Sequence, residues 1–349
     1  MNRKFNSIMK KFNYYIYFLL IISFFPNDSA QAQPEREITN VTGDLYRFRE
    51  IRHIGMFLVT PEGIIVVDPT NSEVSSWLKQ ELDKRFNQPV KYVIYSHSHN
   101  DHASGGEVFQ DTATYVGHIN MLKNLKKPNA NDPLLPRETL WDKNKDGLIQ
   151  KNESIGHNYI ENNFNTYDTD MNGGLDRSEI WEIRFGGNQV PPQIVYTDKA
   201  IVSLGGKNVE LIYTGKNHSD DMSIIYFPDE KTIYTVDFLT PKRLPRTDLD
   251  GGFLPDWVES LKKVELIDFD IISPGHELPG TKADVVEQRK YLEELVKKVS
   301  QEISKGKTEE EILRDIDMSH YNHLMEYDLS ILGNISGVYE MLISNKIEF

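Results

Sequence analysis

The sequence contains no cysteine among its 349 residues. Disulfide bonds and thiolate ligands are therefore excluded, and any metal must bind to histidine, carboxylate or backbone oxygen atoms. Positive charge is also scarce, because 39 basic residues face 53 acidic ones and give a formal charge of −14. With no basic stripe to offset this excess, we expect no binding to nucleic acid. The expected partner is a small-molecule substrate, and the oligomeric state stays open.

The N-terminal residues 1–32 have the pattern of a secretory signal peptide. Four basic residues precede or open an apolar run at Tyr14–Phe25, and Ala30-Gln31-Ala32 reads as a cleavage site. The run is short for a bilayer span, so we predict cleavage, no membrane contact afterwards, and a periplasmic or secreted location. An uncleaved anchor is the alternative. Residues 33–349 would form the mature domain, which is long enough to bury a sizeable core.

From about residue 40 onward, predicted strands and helices alternate in two similar halves. Helical spacing of apolar residues predicts helices at Asn71–Phe86, at Ala283–Ser304 and from Thr308 onward. The polar segment 120–193 interrupts this α/β pattern, and we interpret it as a mostly helical insertion. Short apolar runs bounded by turn residues predict strands at Leu45–Phe48, Met56–Val59, Ile64–Val67, Lys91–Tyr95, Thr114–Val116, Ala200–Val202, Val209–Ile212, Met222–Phe227, Thr232–Val236 and Asp270–Ile272.

Three histidines and an aspartate fall within six residues immediately after the predicted strand Lys91–Tyr95. They are His97, His99, Asp101 and His102. Histidines two residues apart in a loop can converge on one cation, while the last two side chains can reach a second. Imidazole and carboxylate suit zinc and related metals. A solvated polar loop is the alternative, but the whole chain has only ten histidines, so this clustering favours a metal site.

The pattern His-x-His-x-Asp-His after a hydrophobic strand resembles the hallmark of the metallo-β-lactamase superfamily. Segments around Asp68, His218, Asp237 and His276 match further motifs in that family's order, over about residues 40–280. The resemblance implies a four-layer αββα sandwich in which Asp68 orients the metal loop. It also implies two zinc ions with a bridging hydroxide. The implied ligands are His97, His99 and His218 for one ion, Asp101, His102 and His276 for the other, and Asp237 for both.

A metal-dependent hydrolase is the function that the resemblance implies, acting on an ester, thioester, lactone or phosphoester bond. Asp101 would orient the nucleophile and move a proton. β-Lactam hydrolysis is the runner-up, because β-lactamases of the family usually lack an acid at the position of Asp237. A calcium-binding module on an inactive scaffold is a further alternative. Iron or manganese could replace zinc on the same ligands.

Five other histidines match no metal motif. They are His53, His118, His157, His320 and His323. We expect His53 at the surface, although its hairpin flanks the site in members of the family and could bring it to the substrate.

Two twelve-residue loops inside the insertion resemble a tandem EF-hand pair. Each has oxygen-bearing side chains at positions one, three and five, glycine at six, an apolar residue at eight and glutamate at twelve. Two Ca²⁺ ions are therefore predicted, with a polar linker as the alternative. The predicted ligands are Asp142, Asn144, Asp146, Leu148, Gln150 and Glu153 in loop one, and Asp168, Asp170, Asn172, Gly174, Asp176 and Glu179 in loop two.

The two loops differ in charge. Loop one has three acids and three lysines and is neutral, whereas loop two has four acids and one arginine and carries −3. We therefore expect loop two to bind Ca²⁺ more tightly. The pattern leaves open whether the insertion is structural or regulatory.

Overall fold

The computed structural model describes residues 35–135, 138–246, 249, 252–276 and 278–343. The predicted signal peptide, residues 1–32, lies outside these described residues. Within them, no helix combines the length and apolar character that a membrane span requires.

Short strands alternate with helices along the described chain. The strands are β1 Arg36–Thr42, β2 Leu45–Glu50, β3 His53–Thr60, β4 Gly63–Val67, β5 Val90–Ile94, β6 Thr114–His118, β7 Ile149–Gln150, β8 Gly174–Leu175, β9 Ile194–Tyr196, β10 Lys199–Leu204, β11 Lys207–Tyr213, β12 Ser223–Phe227, β13 Thr232–Val236 and β14 Ile271–Pro274. The helices are α1 Ser72–Phe86, α2 Asn100–Ala103, α3 Ile119–Asn124, α4 Glu138–Trp141, α5 Asn158–Tyr167, α6 Arg177–Phe185, α7 Asp256–Glu265, α8 Lys282–Ser304, α9 Glu309–Asp315 and α10 Tyr327–Ile343.

Two large sheets carry the fold. The first has the order β1-β2-β3-β4-β5-β6-β9, with antiparallel pairing as far as β4 and parallel pairing beyond it. The second has the order β10-β11-β12-β13-β14, and only its last pair is parallel. The short strands β7 and β8 pair with each other within the segment 120–193.

Strand β4 shows why the sheets stack. Its side chains alternate between faces with period two. Ile64 and Val66 pack with Leu78 of α1, whereas Ile65 and Val67 belong to the core that contains the second sheet and helices α7 to α10. Helices therefore cover the outer faces of two stacked sheets. The predicted four-layer αββα sandwich is confirmed.

Some elements escaped the sequence analysis. Strand β1 is an edge strand of mostly polar residues, and β9 has only three residues, so neither shows a clear alternation of apolar side chains. Helix α7 buries Trp257, Leu261 and Val264 at helical spacing, a signal that was present. Between the two twelve-residue loops, helix α5 begins at Asn158, after a turn with Gly156 at φ 88°.

Candidate metal centre

The histidine loop leaves the first sheet at the carboxyl end of β5. The buried Asp68 carboxylate, just after β4, accepts hydrogen bonds from the Ser96 amide at 2.8 Å and the Ser96 hydroxyl at 2.5 Å. The His99 carbonyl then accepts from the amides of His102 and Ala103 at 3.2 and 2.8 Å and starts α2. The loop is thus held at its beginning and at its end.

The remaining ligand candidates come from the second sheet. Asp237 directly follows β13, and His276 lies two residues after β14. These parallel strands end at the same edge, where the Gly275 amide donates to the Val236 carbonyl at 3.1 Å. His218 lies in the loop between β11 and β12. The sandwich therefore brings loops from both sheets to one place.

The first ligand set consists of His97, His99, His218 and Asp237. One donor atom from each lies within 4.8 Å of all the others. Nε2 of His218 is 3.1 Å from Nδ1 of His99. Oδ2 of Asp237 is 3.5 Å from Nε2 of His218 and 3.7 Å from Nε2 of His97.

The second ligand set consists of Asp101, His102, His276 and again Asp237. The two imidazole Nε2 atoms are 3.1 Å apart. Oδ1 of Asp237 is 2.9 Å from Nε2 of His276, and its Oδ2 is 3.2 Å from Nε2 of His102. Oδ2 of Asp101 lies 3.5 and 3.6 Å from the same two nitrogens. Asp237 is therefore common to both sets.

The donor atoms fit a pair of divalent cations. Two nitrogens bound to one tetrahedral zinc at about 2.1 Å lie roughly 3.4 Å apart, close to the 3.1 Å separation in both histidine pairs. Nε2 of His97 is buried and has no hydrogen-bond partner. Because buried polar atoms are normally partnered, a cation between the lone pairs accounts for this atom.

The opposite ring nitrogens face groups outside the ligand sets. Nδ1 of His97 is 3.0 Å from the Ser96 hydroxyl, and Nδ1 of His276 is 3.0 Å from the Arg52 carbonyl. Nδ1 of His102 is 3.4 Å from the carboxylate of Asp68. Such contacts fix the ring orientation and leave Nε2 to face the centre.

Burial and nearby charges make the histidines of the two sets differ. Burial lowers the pKa of His97 and His99 well below the usual value. Burial opposes protonation of His102 and His276 as well, but neighbouring carboxylates outweigh it and raise the pKa of both. Asp237 shows the same competition between burial and opposite charge. Burial favours the neutral acid, yet His276 and His102 hold the pKa of Asp237 well below the usual range.

These shifts predict that metal binding to the two sets depends differently on pH. A cation entering the first set finds His97 and His99 already neutral, whereas one entering the second set must displace protons from His102 and His276. We expect the affinity of the second set to rise more steeply with pH through the neutral range. Zinc calorimetry in buffers of different ionisation enthalpy counts the protons released at each step. Equal release at both steps contradicts this expectation.

Asp101 and His53 border the open side of the second set. The Asp101 side chain is 32% exposed, and its Oδ2 lies 3.7 Å from Nε2 of His53. The His53 ring lies 5.0 Å from the ring of His276, and burial lowers the pKa of His53 to about 4. His53 is half-buried, with its side chain 41% exposed, and it lies against the ligand sets, which agrees with the alternative drawn from its hairpin rather than with a surface position. The one sequence signal for this closeness was that His53 belongs to a hairpin that flanks the site in members of the family.

A pocket opens beside the second set, and two arginines are among its lining residues. It is lined by Val236, Asp237, Thr240, Arg243, Pro245, Arg246, Trp257 and His276. Nε of the buried Arg243 donates to Glu326 at 2.8 Å. Sequence analysis missed both arginines. The available signal was that they follow Asp237 by six and nine residues in the loop after β13.

The other unassigned histidines lie apart from the ligand sets. His118 is buried and stacks on Tyr213 at 4.1 Å between ring centroids. His157 packs on Trp141 at 4.5 Å. His320 and His323 contact glutamates at the surface. The structure gives these four residues no part in the centre.

The two twelve-residue loops of segment 120–193 are joined by the antiparallel pairing of β7, in loop one, with β8, in loop two. Ile149 pairs with Leu175, and these are the apolar residues at position eight of each loop. Gly147 and Gly173 at position six have φ of 90° and 88°, which a glycine adopts without steric cost. In loop two, donor atoms of Asp168, Asp170 and Glu179 lie within 4.8 Å of one another.

Loop one is arranged differently. The Asp146 carboxylate accepts from the side-chain amides of Asn144 and Gln150 at 2.9 and 2.8 Å. Outside the histidine cluster, loop two is the one place in the described chain where three acidic side chains converge in this way.

Comparison with known proteins places the chain in a family. The sequence model of the Metallo-beta-lactamase superfamily matches residues 55–276. The chain belongs to the metallo-β-lactamase superfamily. The predicted enzyme class, a metal-dependent hydrolase of this superfamily, is thereby confirmed.

Two curated proteins are distant relatives. The linear primary-alkylsulfatase of Pseudomonas sp. (strain ATCC 19151) is 22% identical over 304 residues, which cover 80% of this chain and 54% of that protein. The 2,4-dinitroanisole O-demethylase subunit alpha of Nocardioides sp. (strain JS1661) is 24% identical over 217 residues, covering 61% and 49%. The chain thus spans about half the length of the curated relatives it matches.

A solved structure supports the same fold assignment. The stereoselective inverting sec-alkylsulfatase Pisa1 from Pseudomonas sp. superimposes with a TM-score of 0.61 at 16% identity. The match covers 89% of this chain and 52% of that one. At this identity, the likeness concerns the metallo-β-lactamase fold alone.

Proposed function

We propose that the chain is a dinuclear zinc hydrolase that cleaves sulfate esters of small organic alcohols. The observation that carries this proposal is the junction of two ligand sets at Asp237, beside a pocket lined by Arg243 and Arg246. Guanidinium groups suit a tetrahedral anion, because they neutralise its charge and donate hydrogen bonds in a fixed geometry. The names of the alkylsulfatase relatives support this substrate class.

The arginine-lined pocket favours a sulfate ester over an uncharged ester, thioester or lactone. A protein of formal charge −14 repels anions in general. An arginine beside the ligand sets of such a protein is best explained by an anionic substrate, and because Arg243 is paired with Glu326, we assign this role to Arg246. A phosphoester shares the charge, and the experiment below therefore separates sulfate from phosphate.

The side chains divide the work of hydrolysis. When bound, two divalent cations polarise the sulfate oxygens and lower the pKa of a water molecule towards neutrality. Asp237 keeps the two ligand sets together, Arg246 orients the sulfate, and Arg243, paired with Glu326, supports the wall of the pocket. Asp101, on the open side, is placed to orient the attacking water and take its proton. His53, 3.7 Å away, is placed to connect Asp101 with solvent. Water and the ester give an alcohol and hydrogen sulfate.

A matched substrate panel tests the proposal. Octyl sulfate, octyl phosphate, octyl acetate and a β-lactam are compared on the metal-loaded protein, with His99→Ala as the background. We expect turnover of the sulfate above the others. Arg246→Gln should raise KM for octyl sulfate by about 10-fold or more, since a hydrogen bond to a charged group contributes about 1.5–3 kcal/mol. Turnover of the β-lactam or acetate without the sulfate would replace this proposal by one of the alternatives from the sequence.

Zinc is the proposed metal of both ligand sets, on the donor types present. Imidazole and carboxylate ligands also accept iron and manganese. Metal analysis of protein produced with all three metals available, together with turnover of each metal form, decides among them.

We also propose that the segment 120–193 is an inserted EF-hand pair that binds two Ca²⁺ ions. The pairing of Ile149 with Leu175 and the glycine turns at position six support it. Oδ1 of Asp168 in loop two is buried without a hydrogen-bond partner. Such an oxygen, beside two further carboxylates, suits a hard cation.

Calcium titration of loop variants tests the pair and ranks its members. Because loop two carries −3 and loop one is neutral, we expect Glu179→Gln to remove the tighter of two binding steps in isothermal titration. Glu153→Gln should remove the weaker step. Loss of the tighter step in Glu153→Gln contradicts the ranking, and two unchanged steps in both variants contradict the pair.

Export is proposed on the pattern of residues 1–32 alone. The proposal places the mature protein, residues 33–349, in the periplasm or outside the cell, without a membrane anchor. Intact-mass analysis of protein recovered from the cell envelope or medium tests it. A mass that retains residue 1 contradicts cleavage.

A further inference from the structure

Helix α6 links calcium loop two to the candidate metal centre. The last residues of loop two are also the first turn of this helix. Asp176 is its N-cap, accepting from the amides of Ser178 and Glu179 at 2.8 and 2.9 Å, and the Glu179 carboxylate accepts from the Asp176 amide at 3.2 Å. The Glu179 carboxylate also accepts from the Thr169 amide at 2.7 Å, across the loop. Any ion that orders these carboxylates therefore orders the start of α6.

The other end of α6 contacts the loop that carries His99. The side-chain amide of Asn100 donates to the Ile183 carbonyl at 3.0 Å. This carbonyl lies in the last turn of the helix. The Phe185 ring lies 5.5 Å from the ring of His99. Just beyond the helix, Gln189 donates to the Ser98 carbonyl at 3.0 Å.

A second chain of contacts runs from α6 to the loop that carries His218. The Trp181 indole donates to the Asn124 carbonyl at 2.7 Å. The Asn124 side chain in turn donates to the carboxylate of Asp220 at 2.8 Å. Asp220 lies two residues after His218. Helix α6 therefore supports two of the three histidines in the first ligand set.

The second ligand set receives its support from elsewhere. The rings of His102 and His276 face Asp68 and the Arg52 carbonyl, which belong to the first sheet and its hairpin. A change in the position of α6 thus acts on the first set through both His99 and His218, and reaches the second set only through α2, which Asn100 begins and which carries Asp101 and His102.

We propose that calcium binding in loop two and metal binding in the first ligand set are coupled through α6, each strengthening the other. The proposal rests on the proposed functions of the two sites and adds a regulatory connection between them. Calcium fixes the first turn of the helix, and the helix fixes Asn100, Phe185 and Trp181 against the two ligand loops. Asn100 and Trp181 are positioning residues, since they act through His99 and His218.

Thermodynamic linkage sets the expected change in affinity and requires that it be the same in both directions. Couplings between sites typically change affinity by about 5–150-fold. Because α6 contributes two hydrogen-bonded contacts and one ring contact, we expect saturating calcium to raise metal affinity of the first set by about 10-fold. The same factor must apply to calcium affinity when the first set is filled, since linkage is reciprocal.

Cobalt titration of the mature protein tests the coupling without relying on activity. Cobalt(II) is the probe, and its visible absorption on histidine ligands distinguishes this site from the all-oxygen calcium loops. We expect the cobalt affinity of the first ligand set to rise about 10-fold in saturating calcium. The cobalt affinity of the second ligand set should change less. Calcium calorimetry with and without cobalt should return the same factor for loop two.

Two kinds of variant sharpen the test. Glu179→Gln should abolish the calcium effect on cobalt binding, whereas the matched Glu153→Gln in loop one should retain most of it. Trp181→Phe and Asn100→Ala should keep calcium binding but reduce the coupling, and circular dichroism checks that both are folded. Calcium binding with no change in either cobalt step overturns the coupling while both sites stand. Failure of calcium or cobalt to bind at all is a different result, and it overturns the underlying site as well.

Discussion

Replacement of Asp237 by alanine is expected to abolish hydrolysis and to empty both ligand sets of metal. Its carboxylate is the one group shared by the two sets, with Oδ1 2.9 Å from Nε2 of His276 in the second set and Oδ2 3.5 Å from Nε2 of His218 in the first. A metal centre supplies several kcal/mol of transition-state stabilisation, and a loss of about 4 kcal/mol lowers kcat/KM by roughly 10³-fold. Metal analysis and steady-state kinetics on one preparation measure both effects.

Two control variants separate the shared role of Asp237 from a general effect of charge. Asp229, in the turn before β13, contacts Lys207 at 3.5 Å at the surface, so Asp229→Ala should leave metal content and kcat/KM unchanged. Loss of a ligand specific to one set, as in His99→Ala, should remove about one metal equivalent rather than two. An Asp237→Ala protein with two metals and more than about a tenth of the original activity would contradict the bridging role.

The candidate centre could be predicted from the sequence because its signals are local. His97, His99 and His102 are close in the chain, and few residue types can bind a metal in a chain without cysteine. The structure brings these residues together with His218 and His276, as the resemblance implies. Asp68 also holds the loop as expected, through Ser96 and beside His102.

The surroundings of the centre could not be predicted in the same way. The hydrogen bond between Asn100 and Ile183 joins residues 83 positions apart, and neither residue stands out in the sequence. Arg243 and Arg246 belong to a loop without a motif, and their place beside Asp237 depends on how that loop folds back. Local patterns identify ligands. Contacts between distant loops depend on the packing of the whole sandwich.

The same distinction explains the errors in the predicted elements. Buried strands such as β4 were found because all their residues are apolar and buried on both faces. The edge strand β1 was missed because it is partly exposed to solvent and carries mostly polar residues, so it lacks the alternation of apolar side chains that predicts a strand. Helix α7 has a clear apolar face, but the prediction followed the strand motifs on either side of it.

The side chain of Trp257 in α7 is expected to contribute strongly to the free energy of unfolding, because it supports the loop that carries Asp237. Trp257 is 2% exposed, and its indole donates to the carbonyl of Phe238 at 2.9 Å. Phe238 is the residue directly after Asp237. The Trp257 ring lies 6.4 Å from that of His218. Removing a buried tryptophan costs about 3–5 kcal/mol, so Trp257→Ala should lower the free energy of unfolding by about that amount. Equilibrium denaturation of the metal-free protein measures it.

Two further tryptophan variants assign the cause of this loss. Trp257→Phe keeps most of the ring but removes one of two donors to the Phe238 carbonyl, which still accepts from Gln288 at 2.8 Å, so it should cost only about 0.5–1.5 kcal/mol. Trp77→Ala removes a half-buried tryptophan from α1, on the outer face of the first sheet, and should cost less than Trp257→Ala. Trp257 also lines the arginine pocket, so its loss should raise KM for the sulfate ester. Equal destabilisation by Trp77→Ala and Trp257→Ala would show that α7 merely covers the sheet and does not hold Asp237 in place.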